Sequence, residues 1–126
     1  MTAVAADVLT WEAEPTAYDL VLVVFLHLPA PDRQLVHAKA AAAVAVGGTL
    51  LVLGHDRSNL VDGVGGPPDP AILLTPGEVV ADLAGTGLDV ERAVVVRRAA
   101  EVDGRRRDAL DCLVVARRKE SAKHLS

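Results

Sequence analysis

The sequence predicts an α/β domain whose sheet is mainly parallel and ends in an antiparallel hairpin. Two apolar runs without alternation, 18–28 (YDLVLVVFLHL) and 49–53 (TLLVL), have the pattern of strands buried on both faces. A helical pattern between them completes a βαβ unit, in which the strands are parallel and the helix crosses over one face. A turn signal at 102–104 joins two further β-rich runs, 88–98 and 108–116, and predicts the hairpin.

The connecting helix has a clear start and a clear end. Pro31 suits the first helical turn, and Asp32 favours the positive end of the helix dipole. We predict a helix over 33–46, ended by Gly47 in the left-handed conformation. The spacing assigns one set of side chains to the sheet and another to water: the sheet-facing set is Leu35, Val36, Ala40, Ala43 and Val44, and the solvent-facing set is Arg33, Gln34 and Lys39.

A long irregular segment, 54–74, follows the second strand and is rich in Gly and Pro. Loops of this length in compact domains are typically lids or binding loops. Next, 75–78 (TPGE) is a capping box with proline at the first helical position, so we predict a helix with the apolar stripe Val79, Val80 and Leu83 that ends at Gly85. The polar residues 117–126 are expected to form a flexible tail.

Composition limits the class of protein. A chain of 126 residues that is 51% hydrophobic is expected to form a single domain, 1–126, with a real core. With 17 acidic and 13 basic residues, a net charge of −4 and 2% aromatic residues, the chain has no basic or stacking surface that favours nucleic acid. We therefore expect no nucleic-acid partner.

Cellular location is predicted only from missing signals. The start of the chain lacks the pattern of a signal peptide, and no uncharged apolar run reaches membrane-spanning length. The single cysteine, Cys112, excludes an internal disulfide and is expected to be a buried apolar residue, not a nucleophile. We expect a cytoplasmic protein with no membrane partner.

Two histidines lie where the predicted strands end. Ligands bind beyond the carboxyl ends of parallel strands, and His27 and His55 follow the two apolar runs there. One of them could be a general base, because imidazole titrates near neutrality. The alternative is that both only finish buried strands and bond to loop backbone. Together with Asp56 they give a weak metal-ligand pattern, and we expect no metal.

The start of the long loop supplies candidate substrate contacts. These are Asp56, Arg57 and Asn59, with Ser58 between them. Solvated loop residues are the alternative interpretation.

Four stretches together resemble a known family. They are 6–11 (ADVLTW), 18–29 (YDLVLVVFLHLP), 46–56 (VGGTLLVLGHD) and the terminal hairpin. In this order and spacing, residues 5–118 resemble the carboxyl-terminal half of a class I S-adenosylmethionine-dependent methyltransferase of the small bacterial type. Val46 departs from the family, which usually has proline there. The resemblance implies a partial Rossmann-like sheet and methyl transfer from S-adenosyl-L-methionine to a small-molecule acceptor.

The resemblance also implies site residues. Asp7 stands where the family has an acid that accepts a hydrogen bond from the adenine amino group, and Val8 stands where a residue packs on the ring. Val24, Phe25 and His27 fall beneath the methionine and ribose portion, near the acceptor. Catalysis in such a site is mainly positioning, so few dedicated catalytic residues are expected. The alternative interpretation makes Asp7 only a loop cap.

Part of the family pattern is missing. No glycine-rich turn follows a first strand, and no second strand ends in the acid that holds the ribose; the glycines at 63–66 do not lie between a strand and a helix start. We therefore expect a truncated methyltransferase, inactive or weak alone, whose binding of the cofactor is in doubt. The alternative is a non-catalytic module.

The missing strand has a structural consequence. In the family it pairs with the strand that corresponds to 18–28, so its absence would leave an apolar edge. We expect that edge to pair with a second copy, giving a homodimer, or with a separate amino-terminal half. Folding of 1–11 onto the edge is the third possibility.

Overall fold

The computed structural model describes residues 15–59, 69–102 and 104–119. The elements are β1 (Tyr18–Val24), α1 (Ala30–Ala43), β2 (Val44–His55), a 3₁₀ turn (Pro70–Ile72), α2 (Pro76–Leu83), β3 (Asp89–Val102) and β4 (Arg105–Arg117). The four strands form one sheet in the order β1-β2-β4-β3. β1 is parallel to β2, whereas β4 is antiparallel to both β2 and β3. The predicted fold class is confirmed: an α/β sheet with a parallel pair and a carboxyl-terminal antiparallel hairpin.

The carboxyl end of α1 is anchored by groups from distant parts of the chain. The backbone amides of Thr16 and Ala17 donate to carbonyls in the last turn of α1 at 2.8 and 3.0 Å. The Arg118 guanidinium donates to the carbonyls of Ala41 and Val44, each at 2.8 Å. These bonds supply partners at the end of the helix, where the last carbonyls lack the usual amide four residues further on, although the Ala41 carbonyl also accepts from the Val44 amide. They also fix where β1 begins and where β4 ends.

Gly47 does not end the helix as predicted. It has the expected left-handed backbone, with φ +79°, but α1 already ends at Ala43 and Gly47 lies inside β2. The pairing between β1 and β2 shifts register here, so the left-handed residue serves a strand irregularity. At the adjacent Gly48 a Cβ would lie 2.9 Å from the Ala45 carbonyl and 3.0 Å from the Tyr18 carbonyl, so this position also needs glycine.

Both helices pack on one face of the sheet. That face presents alternate residues of β2 and β4, including Leu50, Val52, Cys112 and Val114, all fully buried. The helices cover it with Val36, Ala40, Ala41, Val79 and Leu83. Burial of this apolar surface provides the main driving force for the fold.

The opposite face and the outer edge of β1 are open among the described residues. Leu22 and Val24 are 55% and 44% exposed, so the prediction that this strand is buried on both faces is wrong here. The reason is that the described helices cover only the other face. Within the described residues β1 pairs with β2 alone. A groove of about 240 Å³ runs between β1 and α1, lined mostly by apolar side chains together with Lys39.

The predicted sides of α1 are wrong at two positions. Leu35 is 44% exposed, whereas Arg33 is 7% exposed. Arg33 is buried because α2 supplies two carboxylates, Asp82 and Glu78, that pair with it. Spacing on a single helix carries no information about partners on another helix.

The start and end of α2 are confirmed. The Thr75 hydroxyl accepts a hydrogen bond from the Glu78 amide at 3.2 Å, and Gly85 follows the helix with φ +76°. Val79 and Leu83 face the core, while Val80 is 36% exposed, so its assignment to the predicted apolar stripe is wrong.

The predicted hairpin is confirmed and is longer than expected. β3 and β4 pair as far as Val102 and Arg105, and Gly104 has φ +73° in the turn. Arg117 ends β4, and the Arg118 amide donates to Gly48, so these two residues belong to the sheet and not to the predicted flexible tail. Residues 120–126 lie outside the described residues. No helix in the described part of the chain is long and apolar enough to cross a membrane.

Candidate active site

The topology brings the carboxyl ends of two strands next to the middle of β4. β1 and β2 end there, at Val24 and His55. β4 runs the other way, and its Asp111 pairs in register with His55 on β2 and with Val96 on β3. The site is therefore built from the carboxyl ends of β1 and β2, from the second half of β3 and from the middle of β4.

Phe25 follows β1 in a strained conformation. Its φ is +51°, a region that a bulky residue rarely adopts, and its amide is held by the Leu53 carbonyl at 2.6 Å. The side chain is 41% exposed, and its ring centroid lies 5.1 Å from that of His55. Backbone strain that the surrounding structure maintains is concentrated at functional sites. The strained Phe25 therefore identifies the carboxyl end of β1 as a candidate site.

The two histidines have different roles in the structure. His27 Nε2 accepts a hydrogen bond from the His55 backbone amide at 3.0 Å, which leaves Nδ1 as the protonated nitrogen of the neutral ring. The two rings stack at 5.2 Å. Burial, and then the neighbouring His55, lower the pKa of His27 below its usual value, although Asp111 acts in the other direction. His27 is thus held neutral, and its lone pair is already used.

Gly54 makes this contact possible. A Cβ at this position would lie 3.2 Å from His27 Nε2 and 2.7 Å from a methyl carbon of Leu74. The sequence contains the signal, a glycine between a buried strand and a histidine, but gives no indication of what approaches it.

His55 has one ring nitrogen, Nε2, that is available to another partner. Its Nδ1 is buried, makes no hydrogen bond in the described part of the chain, and lies 3.6 Å from Asp111 Oδ1. The side chain as a whole is 15% exposed. A carboxylate beside Nδ1 favours the tautomer with the proton on that nitrogen, so Nε2 on the opposite edge is the one able to accept a proton.

Arg98 and Asp111 complete the cluster, and neither was predicted from the sequence. Arg98 donates to the two Asp111 oxygens at 2.9 and 3.4 Å, and its guanidinium carbon lies 5.4 Å from the centre of the Phe25 ring. The bond to Asp111 raises the pKa of Arg98. The Asp111 side chain is 2% exposed and that of Arg98 is 46% exposed. A signal existed, because an acid within the apolar run 109–116 needs a buried partner.

The three predicted loop residues all have partners within the protein. Asp56 is 3% exposed, and its Oδ2 accepts hydrogen bonds from the Ser58 amide at 2.9 Å and from its hydroxyl at 2.5 Å. Asn59 accepts a hydrogen bond from the Leu110 amide at 2.8 Å. Arg57 pairs with Glu78 at 2.6 Å, while its side chain remains 39% exposed. These contacts tie the loop to β4 and to α2.

Cys112 is fully buried on the helix-covered face. Burial, followed by the nearby carboxylates of Asp56, Asp111 and Glu78, raises the pKa of its thiol to about 12. The prediction that Cys112 is a buried residue is confirmed, and the raised pKa argues against a role as nucleophile.

Only part of the cofactor site implied by the resemblance can be compared with the structure. Asp7 and Val8 lie outside the described residues. Val24 and Phe25 are exposed at the end of β1 and fit an apolar wall for a nucleoside or thioether group. No glycine-rich turn between a strand and a helix occurs in the described ranges. The described residues therefore fit one side of such a site.

No family model and no curated protein sequence matches this chain. Solved structures do match. An S-adenosylmethionine-dependent methyltransferase from Methanosarcina mazei is 10% identical over 91% of this chain and 66% of its own, with a TM-score of 0.63. A methyltransferase of the same kind from Leishmania major is 13% identical over 87% and 43%, with a TM-score of 0.58. The chain has a class I methyltransferase-like fold.

A third structure with this methyltransferase-like fold concerns the conversion of a disulfide bond into a thioacetal group during echinomycin biosynthesis. It is 16% identical over 94% of this chain and 57% of its own, with a TM-score of 0.62. The chain thus spans between 43% and 66% of the length of these three structures.

Proposed function

We propose that this chain forms the acceptor-binding half of an S-adenosylmethionine-dependent methyltransferase that acts on a small molecule. The observation that carries the proposal is the position of the Phe25, His27 and His55 cluster in a methyltransferase-like fold. The cluster lies at the carboxyl ends of the parallel strands, where open α/β sheets bind their ligands.

Each residue has a stated task in this proposal. S-adenosylmethionine, when bound, supplies an electrophilic methyl group. Val24 and Phe25 provide an apolar wall at the end of β1. His27 holds the His55 backbone, and His55 Nε2 accepts the proton that the acceptor's hydroxyl or amine group loses. Asp111, beside Nδ1, orients the His55 ring and stabilises the imidazolium that forms.

The chain alone is proposed to bind the cofactor weakly. Asp7 and Val8 are the proposed adenine contacts, by resemblance. The glycine-rich turn and the ribose-binding acid of the fold are not among the described residues, and the similar structures are longer than this chain. We propose that full activity needs those parts of the fold as well.

Several features support a small-molecule acceptor. The chain is acidic and poor in aromatic residues, which disfavours nucleic acid. One similar structure concerns the conversion of a disulfide bond into a thioacetal group during echinomycin biosynthesis. Arg57, the most exposed of the three predicted loop contacts, is the one that we propose as an acceptor contact.

Titration with S-adenosylhomocysteine, followed by backbone NMR, tests the proposal. We expect saturable shifts at the amides of Val24, Phe25 and His27, even if the dissociation constant is millimolar. Phe25→Ala should weaken binding, whereas Val46→Ala, at an exposed position in β2 near the opposite edge of the sheet, should not. Absence of saturable shifts at the end of β1 would contradict the proposal.

A second candidate is a non-catalytic module that forms a homodimer through β1. The observation in its favour is the open edge, where Leu22 and Val24 are exposed and Asp19 is the one charged residue of the strand. A two-fold axis near the middle of β1 would pair this strand with its own copy and bury the same side chains on both chains.

The oligomeric state tests the second candidate. The module predicts a dimer by sedimentation equilibrium that Leu22→Lys converts to monomer. Val46→Lys is the matched control, because Val46 is 57% exposed but lies at the start of β2. A monomer at high concentration, with wild-type sequence, would exclude the module.

A further inference from the structure

Arg98 has hydrogen-bond donors beyond those that Asp111 uses. A guanidinium carries five N–H donors, and the Nε and Nη2 edge is the one bound to Asp111. No acceptor for Nη1 is found among the described residues. The edge formed by Nη1 and the second Nη2 hydrogen has the two parallel donors that match a carboxylate. The Arg98 side chain is 46% exposed.

Asp111 makes this edge rigid. Its carboxylate is 2% exposed and holds the guanidinium through two bonds, so little side-chain entropy remains to be lost when a ligand binds. The ion pair also neutralises Asp111, which reduces the repulsion between this carboxylate and an anionic ligand.

Phe25 provides an apolar surface next to the same edge. Its ring is 41% exposed, lies under the guanidinium at 5.4 Å, and is 5.1 Å from the His55 ring. A ligand whose carboxylate reached Arg98 would place its body along Phe25, toward His55.

We propose that Arg98 and Phe25 form a recognition site for an acceptor that carries a carboxylate on an aromatic body. This inference rests on the proposed function, because it assigns the substrate class of the same site. Arg98 binds the carboxylate through its second edge, Phe25 stacks with the ring, and the group to be methylated then faces His55. Asp111 is a positioning residue in this arrangement, since it acts on the ligand through Arg98.

Calorimetric titration of the full chain with benzoate tests the site without any cofactor. Benzoate should bind, and benzamide, which has the same ring without the charge, should bind at least about tenfold more weakly. Arg98→Lys keeps the charge but loses the second pair of parallel donors, and should weaken benzoate about tenfold. Arg97→Lys is the matched control, because Arg97 is 70% exposed and pairs with Asp108, and it should leave binding unchanged.

A second variant protects the test against loss of folding. Phe25→Leu leaves Arg98 in place, so the variant should still bind acetate as the wild type does, but should lose the preference for benzoate over acetate. Equal benzoate affinity in wild type and Arg98→Lys, or equal affinity for benzamide and benzoate, would overturn the inference. Benzoate binding without any response to S-adenosylhomocysteine would instead overturn the proposed function and keep the anion site.

Discussion

Two clusters in this molecule contain the same three residue types in different states. Arg33, Asp82 and His37 lie between α1 and α2, with side chains that are 8%, 3% and 3% exposed. Arg98, Asp111 and His55 lie at the strand ends, where the arginine is 46% and the histidine 15% exposed. In the first cluster His37 Nδ1 lies 2.7 Å from the carboxylate, whereas in the second the distance is 3.6 Å.

The difference shows that the surroundings of such a cluster decide whether it has a structural role or can bind a ligand. The Asp82 cluster is closed, because Glu78 takes a further Arg33 donor at 2.7 Å and the helices exclude water. A closed and buried network of this kind holds two elements together and leaves nothing for a ligand. The Asp111 cluster has donors and an imidazole edge left over. The Asp82 cluster therefore has a structural role, because it connects α1 and α2. The Asp111 cluster is the candidate site.

The largest loss of stability is expected when the Asp82 cluster is disrupted. Asp82→Ala leaves the buried Arg33 and His37 without their shared carboxylate, and should lower the free energy of unfolding by about 3–5 kcal/mol in urea titrations. Asp89→Ala is the control, since Asp89 is 62% exposed and lies 4.0 Å from Lys119, and should cost less than about 0.5 kcal/mol. Similar losses in both variants would contradict a structural role for the Asp82 cluster.

A smaller loss of stability is expected when a methyl group is added at Gly54, where His27 packs against β2. Gly54→Ala places a methyl group against Leu74 and His27, and should cost about 1–3 kcal/mol because the packed neighbours must move. Gly77→Ala, in α2 with open space around it, should instead stabilise the chain by about 0.5–1 kcal/mol. If Gly54→Ala were neutral, the close approach of His27 to β2 would be excluded.

The smallest effect is a dependence of the free energy of unfolding on pH, to which His37 and His27 both contribute. Burial lowers the pKa of His37 and of His27 below the ordinary 6.5. The unfolded chain therefore binds protons before the folded chain does, and stability falls as the pH drops below 6.5. The slope should reach at most about 1.4 kcal/mol per pH unit for each histidine.

Urea titrations at several pH values measure this slope. His37→Gln should reduce it between pH 6.5 and 5. Glu78 affects the result only at lower pH, because Arg57 and then Arg33 hold its pKa below the ordinary 4.5. A stability that rises on acidification through this range would contradict the lowered pKa values.

Much of the fold could be predicted from the sequence, because its signals are local. The two apolar runs, the capping box at Thr75 and the hairpin turn at Gly104 each specify an element without reference to the rest of the chain. The buried side of α1 could not be predicted, since Arg33 is buried only because Asp82 and Glu78 lie on another helix. Burial of both faces of β1 was predicted wrongly, because a run of apolar residues does not show what covers it.

The candidate site was predicted in part, for a related reason. His27, His55 and Phe25 are found from the rule that ligands lie at the carboxyl ends of strands. Arg98 and Asp111 were missed because their place depends on the register of β4 against both neighbours, which pairs Asp111 with His55 on β2 and with Val96 on β3. That register is a long-range property and has no counterpart in the local sequence pattern.

Mapping of benzoate binding by ¹⁵N-labelled backbone and histidine NMR tests the central claim most directly. We expect saturable shifts at Phe25, His55 and Arg98, with none at Arg33 or His37. Two results would contradict the claim that the Asp111 cluster is the binding site. One is shifts centred on the Asp82 cluster between α1 and α2, and the other is shifts spread over the surface without a common dissociation constant.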